Sequence, residues 1–335
     1  MRLNTLQEEK MCLILSIMNW FKRKTKLWNT YKIMQPPWGG GDQFLIALSK
    51  VLRNCRVKVY GRFNPDVEVI FLNSWHLNEK DFDLVNMVKM EKNAEVIHRL
   101  NGIGQLYGHG SKDDEIAFNI NRDLANMTIF QSRWAKEQFG RLGLRPKNYT
   151  IIYNGVDTDI FNKKGKKDWN GKEKLKLVAS TWSSNIKKGF NYYKEFDKIL
   201  DKSQDFTIDL IGNIPEGWKF KNIRVYPPVN SKRLAKMLKS CHSLLQFAQD
   251  DTCSNAVLEA INCGLPIIYL DSGGTKEISE EYGVEYKDNL LDAVERLKAG
   301  YFSIIERIKD NPFKIEYVAD KYLNLFSKLL NKNDN

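Results

Sequence analysis

The chain has 335 residues, of which 42% are apolar and 12% aromatic, enough for a folded core and unlike disordered or collagen-like proteins. The net charge is +11, but residues 1–30 carry +4 of it and residues 163–176 carry +5, and lysine outnumbers arginine 38 to 14. Because specific nucleic-acid readers favour arginine, this distribution argues against a nucleic-acid-binding protein.

Residues 1–30 are predicted to be an N-terminal extension. An apolar stretch at 11–21 is followed by the basic sequence KRKTK at 22–26, whereas a signal peptide carries its basic residues first. Two interpretations are open. Residues 11–26 could form a helix that makes peripheral contact with the cytoplasmic membrane face, its lysines near anionic lipid. Alternatively, they form a terminal helix packed on the domain or a poorly ordered leader.

From residue 31, short apolar runs alternate with segments of helical periodicity. The predicted strands are 32–35, 57–60, 67–72, 94–100, 127–130 and 150–153, and the predicted helices include 42–52, 81–90 and 133–139. This alternation indicates an α/β domain with a parallel sheet covered on both faces, assigned to residues 31–155.

The same alternation restarts after a linker at 156–172. The predicted strands are 175–179, 206–211, 223–225, 243–247 and 266–270, and the predicted helices are 189–200, 231–240, 255–263, 290–298 and 315–330. Residues 173–312 are therefore assigned to a second α/β domain, and 313–335 to a C-terminal helix that packs back on the first. Because open α/β sheets bind ligands at the carboxyl ends of their strands, the cleft between two such domains is the expected site.

Cysteine and histidine usage gives no sign of a metal centre. The five cysteines include no CxxC pair, and the four histidines are scattered. This pattern predicts reduced thiols, a cytoplasmic location and no structural zinc. No apolar run approaches the roughly 18 residues that span a bilayer, which argues against an integral membrane protein.

Two loops have features of a phosphate site. Gly40 and Gly41 lie before a predicted helix, where backbone amides and the helix N-terminus favour an anion such as a diphosphate; a plain tight turn is the alternative. Lys188 precedes Gly189 after the first strand of the second domain, where its ammonium group could reach phosphates held over the strand ends. The alternative is a solvated lysine in a lysine-rich chain.

The loop and helix at 251–266 are the most informative segment. Asp251 follows an apolar strand, Ser254 and Asn255 are placed to cap the next helix, and Glu259 lies one turn inside it. A carboxylate among apolar neighbours needs partners, and the hydroxyl groups of a ribose or a sugar are suitable donors. The alternative is a capping loop with an acid near the helix N-terminus.

Six motifs in order resemble the family 4 retaining glycosyltransferases of the GT-B fold, over residues 31–330. The motifs are Trp38-Gly-Gly-Gly41, Ile129-Phe-Gln-Ser-Arg-Trp134, Ile152-Tyr-Asn-Gly-Val-Asp-Thr-Asp-Ile-Phe161, Lys188-Gly189, the acid pair Asp251 and Glu259 with Cys263-Gly-Leu-Pro266, and Ser272-Gly-Gly-Thr-Lys-Glu277. The resemblance implies two Rossmann-like domains whose parallel sheets face each other across a cleft. It implies transfer of a sugar from a nucleotide-diphosphate sugar to a glycan or lipid-linked acceptor, without metal or cofactor.

The resemblance also implies roles for matching residues. Glu259 would hold the donor ribose, Asp251 would contact the donor sugar, and Lys188 would neutralise the leaving diphosphate. The remaining donor-binding positions are Gly40, Gly41, Gly212, Thr252, Cys253, Ser254 and Asn255.

Three positions depart from the family pattern. Asp251 stands where the family usually has Glu, and Trp182 and Ser183 occupy the neighbourhood of a common arginine. The histidine expected near residues 101–102 is absent, and Arg99 or Asn101 is assigned to the first-domain site in its place. These departures keep two alternatives open: a non-catalytic protein that binds sugar nucleotides or glycans, and a nucleotide-sugar hydrolase or epimerase.

Overall fold

The computed structural model describes residues 24–33, 39–108, 110–203 and 205–331. These residues form two compact units. The first contains residues 41–155 and 315–331 together with the described residues before 34, and the second contains Gly39, Gly40 and residues 156–314. The apolar stretch at 11–21 lies outside the described residues, as does Trp38.

The first unit is built on a six-stranded parallel sheet of order β2-β1-β3-β4-β5-β6. Its strands are β1 (Thr25–Asn29), β2 (Val57–Tyr60), β3 (Val69–Asn73), β4 (Glu95–Arg99), β5 (Met127–Phe130) and β6 (Tyr149–Ile151). Strand β3 is buried along its whole length, as expected for a parallel strand covered on both faces.

The predicted first strand, at 32–35, is wrong over its described residues 32 and 33, and residues 34 and 35 lie outside the described part of the chain. Residues 31–33 are irregular, and the strand lies instead at Thr25–Asn29, where it pairs in parallel with β2 on one side and β3 on the other. The boundary of the extension at residue 30 is therefore also wrong, since the first unit includes a strand that begins at residue 25. The charged residues at 22–26 conceal this strand in the sequence, although Leu27 and Trp28 are each only 2% exposed.

Among the described residues, five α-helices belong to the first unit, although Gly40, the first residue of the first helix, is grouped with the second unit. They are α1 (Gly40–Asn54), α2 (Glu79–Lys92), α3 (Lys112–Leu124), α4 (Arg133–Arg141) and, at the end of the chain, α10 (Ile315–Leu330). Helix α10 has apolar residues at helical spacing that pack into one core with Leu27 and Phe44. Helix α3 is not among the predicted helices, because its inner face carries the buried polar residues Asp114 and Asn121 beside its apolar ones.

The second unit has its own six-stranded parallel sheet, of order β12-β11-β10-β7-β8-β9. Its strands are β7 (Leu175–Thr181), β8 (Phe206–Gly212), β9 (Arg224–Tyr226), β10 (Ser243–Gln246), β11 (Ile267–Leu270) and β12 (Gly283–Tyr286). Its helices are α5 (Phe190–Ile199), α6 (Ser231–Leu238), α7 (Asn255–Asn262), α8 (Thr275–Ser279) and α9 (Leu290–Ile308). The short edge strand β12 is not among the predicted strands.

The sheet orders place the candidate loops at one edge of each sheet. In the second unit, β7 and β10 are neighbours, so the loops that follow them leave the same carboxyl edge side by side. Residues 182–189 and 247–254 occupy these loops. None of the described helices is both long and apolar enough to cross a bilayer.

Candidate functional site

Lys188 and Asp251 meet at the carboxyl edge of the second sheet. The Lys188 Nζ donates to Asp251 Oδ2 at 2.9 Å, and both side chains are largely buried. The other carboxylate oxygen, Oδ1, accepts the backbone N–H of Cys253 at 3.2 Å. The structure thus brings two of the three predicted catalytic residues into contact, with the carboxylate held by the loop that leads into α7.

A second ion pair lies beside this one, and the site predicted from the sequence does not include it. Lys187 Nζ donates to Asp250 Oδ2 at 2.8 Å, and the Gln249 backbone N–H donates to the Lys187 carbonyl at 2.7 Å. Asp250 is a non-glycine residue with φ of 58°, and its N–H donates to Ser272 Oγ. The doublets Lys187-Lys188 and Asp250-Asp251 therefore pair residue by residue, and this matching of charge is the signal that could have identified them.

Gly189 explains why Lys188 reaches Asp251. Its φ is 93°, and a Cβ there would lie 2.5 Å from the Phe247 Cβ and 2.8 Å from the Phe247 backbone. Only glycine permits both the left-handed turn and this close approach to the end of β10. The Lys-Gly pair is thus a structural requirement of the loop as well as a binding motif.

Substitution of Gly189 by alanine is expected to destabilise the second unit. Backbone strain and the clash with Phe247 together should cost about 3 kcal/mol or more. Gly217→Ala is the matched control: its φ is 75°, but a Cβ there meets nothing within 4 Å. That control should cost only about 1 kcal/mol. Equal losses of thermal stability in the two variants would contradict the packing role of Gly189.

Glu259 is buried inside α7 without a partner. It is 7% exposed, and its carboxylate has no hydrogen bond or ion pair with any described residue. Burial raises the pKa of Glu259 from 4.5 to about 8. A buried acid without a partner costs stability when ionised, so this position favours a ligand that supplies hydrogen-bond donors.

The raised pKa makes a prediction about stability. Because the folded protein keeps the Glu259 proton between pH 4.5 and about 8 while the unfolded chain loses it, stability should fall as pH rises through this window. The loss relative to Glu259→Gln should be about 1.4 kcal/mol per pH unit at most. Thermal unfolding of both proteins at several pH values measures it. Parallel profiles would show that Glu259 ionises normally.

The N-terminus of α7 is only partly as predicted. Ser254 occupies the N-cap position and is buried, but its side chain makes no capping hydrogen bond with the described residues. Asn255 instead donates its side-chain amide to the Gly40 carbonyl at 2.6 Å. Thr252 and Cys253 are buried in the loop before the helix. The Ser254 side chain thus does not cap the first turn of α7.

The other predicted donor-site glycines lie in different settings. Gly212 ends β8, where a Cβ would lie 1.7 Å from the Thr181 carbonyl oxygen, so a glycine is required for the close pairing of β7 and β8. Gly41 lies in the first turn of α1 in the first unit, with nothing within 4 Å of its Cβ position. Trp182, in the place of the missing arginine, is 42% exposed.

In the first unit, Arg99 and Asn101 lie together. The Arg99 guanidinium is buried, donates to the side-chain oxygens of Asn73, Asn101 and Asn154, and lies 4.4 Å from the Phe44 ring centre. Arg99 is thereby engaged by the protein and orients Asn101. The Asn101 amide nitrogen makes no hydrogen bond to a described residue, so it is the better placed of the two to contact a ligand.

His98 precedes Arg99 and has a structural role. It is fully buried, its Nε2 lies 2.9 Å from the Ser74 carbonyl, and its Nδ1 lies 3.1 Å from the Asn121 amide nitrogen. Since the Asn121 amide donates to Nδ1, the proton sits on Nε2 and is donated to Ser74. Burial lowers the pKa of His98 to about 4, so the ring stays neutral. The described residues contain no cluster of three His, Cys, Asp or Glu side chains suited to a metal ion.

No protein-family model matches the chain, and no curated protein sequence matches it. Solved structures do. Sucrose-phosphate synthase from Thermosynechococcus elongatus matches with a TM-score of 0.69 at 13% identity, covering 92% of this chain and 100% of that one. The catalytic domain of starch synthase IV from Arabidopsis thaliana, bound to ADP and acarbose, matches with a TM-score of 0.68 at 10% identity and the same coverage. Anabaena HepE in complex with UDP and glucose matches with a TM-score of 0.61 at 13% identity, covering 93% and 99%.

The fold is GT-B. The two parallel six-stranded sheets with their helices confirm the predicted fold class of two Rossmann-like domains. At these identities the likeness establishes the fold alone, and only the chain's own residues indicate its chemistry.

Proposed function

We propose that this GT-B protein is a retaining glycosyltransferase that moves a sugar from a nucleotide-diphosphate sugar to a glycan or lipid-linked acceptor. The observation that carries the proposal is the ion pair of Lys188 and Asp251 at the carboxyl edge of β7 and β10, followed in the chain by the buried Glu259 of α7. The Lys188 ammonium group suits a diphosphate, and the Asp251 carboxylate, which can give up its ion pair, suits a sugar. The buried acid Glu259 suits a ribose.

Each residue has a distinct task in this proposal. Lys188 is held by Asp251 and turns to the diphosphate as negative charge develops on the leaving group. Asp251 is then free to accept sugar hydroxyls. Glu259 accepts the ribose hydroxyls, which replaces its missing partners. The N-terminal end of α7 adds positive potential near Ser254. Lysine and backbone amides supply the charge, so the proposal includes no metal.

Structural neighbours support a nucleotide ligand. HepE holds UDP and glucose, and starch synthase IV holds ADP. The acceptor side is assigned to the first unit, with Asn101 at the position of the family's histidine. Glycan synthesis in the cytoplasm, with residues 11–24 in contact with a membrane, is the setting we propose for the reaction. Thr25 and Lys26, the last two residues of the segment predicted for that contact, belong to strand β1 instead.

The test is thermal unfolding with a panel of UDP- and GDP-sugars. A donor present at 100 times its Kd should stabilise the protein by about 2.7 kcal/mol. Glu259→Ala should abolish that stabilisation, whereas Lys202→Ala, an exposed lysine in the same unit, should retain it. Absence of any shift across the panel would contradict a nucleotide-sugar site.

The non-catalytic alternative predicts the same stabilisation but no release of nucleoside diphosphate. A hydrolase would release nucleoside diphosphate and free sugar without any acceptor. A hydrolase or epimerase would need a general base. His242, the described histidine of the second unit, is buried and its pKa is lowered to about 4 by burial, and its Nδ1 accepts the Lys176 N–H. His242 is therefore not placed to act as that base.

A further inference from the structure

A row of three aromatic rings lies at the carboxyl edge of the first sheet. Trp75 and His76 follow β3, with ring centres 3.7 Å apart and planes inclined by 36°. Tyr31 follows β1 and meets His76 edge-on, with ring centres 4.9 Å apart. Trp75 is the outermost ring and is 37% exposed.

The loop after β3, which carries Trp75 and His76, is held in place by buried hydrogen bonds. Ser74 is a buried non-glycine residue with φ of 52°. Its N–H donates to the Arg99 carbonyl at 2.7 Å, and its carbonyl accepts the Nε2–H of the buried His98 at 2.9 Å. A strained residue held by two buried hydrogen bonds is a pattern found where a protein presents a group to a ligand. Trp75 is thus exposed on a rigid support.

The charges around the rings favour a ligand with hydroxyl groups over a phosphate. Burial lowers the pKa of His76, so its ring is neutral at pH 7 even though Asp42 and Asp113 lie close enough to raise that pKa. The Tyr31 hydroxyl donates a hydrogen bond to the Asp42 carboxylate. Asp113, in the first turn of α3, makes no hydrogen bond to a described residue. Carboxylates disfavour a phosphate but accept hydrogen bonds from hydroxyl groups.

We propose that Trp75, supported by the His76 ring behind it, is a platform on which a neutral pyranose ring of the acceptor stacks, with Asp113 accepting its hydroxyls. The face of a pyranose that carries C–H groups is weakly positive and is attracted to the negative face of an aromatic ring. The hydroxyl edge of the same sugar then points to the carboxylate. The identification of the bound sugar as the acceptor rests on the proposed function. Binding of a sugar to the platform is testable without it.

The test uses the full chain labelled with 5-fluorotryptophan, with the Trp75 resonance assigned from the variant Trp75→Phe. The probes are methyl glycosides of glucose, galactose and mannose, added to about 100 mM because a single stacked sugar binds with a Kd on the order of 10 mM. We expect at least one glycoside to shift the Trp75 resonance saturably and to leave the other tryptophans unchanged. Asp113→Asn should weaken this binding several-fold.

Tyr149→Ala is the matched control. Tyr149 is also an exposed aromatic residue of the first unit, but it begins β6 at the amino edge of the same sheet, so its loss should leave the titration unchanged. The proposal is overturned if no glycoside shifts the Trp75 resonance, if all tryptophans shift alike, or if inorganic phosphate shifts it more than any sugar. Stabilisation of the wild-type protein by nucleotide sugars reports on the proposed function separately, so the two failures are distinguishable.

Discussion

Replacement of Glu259 by alanine or glutamine is expected to lower the rate of sugar transfer on the order of 100-fold or more. The carboxylate is buried in α7 and has no partner among the described residues, so ribose hydroxyls would be its hydrogen-bond donors. Hydrogen bonds to a charged group contribute about 1.5–3 kcal/mol each. The initial rate of nucleoside diphosphate release at low donor concentration measures the loss.

Glutamine keeps the volume of Glu259 and removes its charge, which gives a second readout. Burial raises the pKa of Glu259 to about 8, and ribose hydroxyls should stabilise the ionised form. Donor binding would then release a proton, so the donor Kd should fall as pH rises from 6 to 8. The glutamine variant should show no such dependence. A pH-independent Kd in the wild-type protein would contradict the role of the carboxylate.

Lys188→Ala is the second large effect, again on the order of 100-fold or more in turnover. Its Nζ is the cation held at the carboxyl edge by Asp251 at 2.9 Å, and it would stabilise charge on the departing diphosphate. Because that charge is greatest in the transition state, kcat should fall more than donor affinity. Steady-state kinetics over a range of donor concentrations separates the two.

Lys187→Ala is the matched control for Lys188. Its ion pair with Asp250 has nearly the same length, 2.8 Å, but both of its side chains are more exposed. Such a pair contributes about 0–1 kcal/mol, so turnover should fall by no more than about five-fold. Equal losses in the two variants would show that the loop needs both ion pairs for its structure and that Lys188 has no special part in the chemistry.

The sequence predicts most of the second unit, though not β12 or α8, because its local signals agree with its tertiary structure. The strands there are apolar, and the Lys-Gly and acid-pair motifs lie in loops that follow adjacent strands. The ion pair between Lys188 and Asp251 joins residues 63 positions apart, and periodicity alone contains no information about it. Its existence follows from the sheet order and from the close contact of Gly189 with Phe247.

The first unit was harder to predict because tertiary contacts override its local pattern. Strand β1 begins in a charged segment. It is an interior strand because β2 and β3 pair with it on its two sides. Buried polar residues such as Asn121 and His98 lower the apparent hydrophobicity of α3 and β4, yet they satisfy each other through hydrogen bonds. The Trp75 platform has no motif in the sequence, since its rings come from loops after two different strands.

The most direct test of the central claim is turnover of the full chain with the nucleotide sugar that stabilises it. Nuclear magnetic resonance would follow release of nucleoside diphosphate and the anomeric configuration of the transferred sugar. We predict release that depends on Glu259 and Lys188, with the configuration of the donor retained in the product. Binding without release for every stabilising donor, or a product of inverted configuration, would contradict a retaining glycosyltransferase.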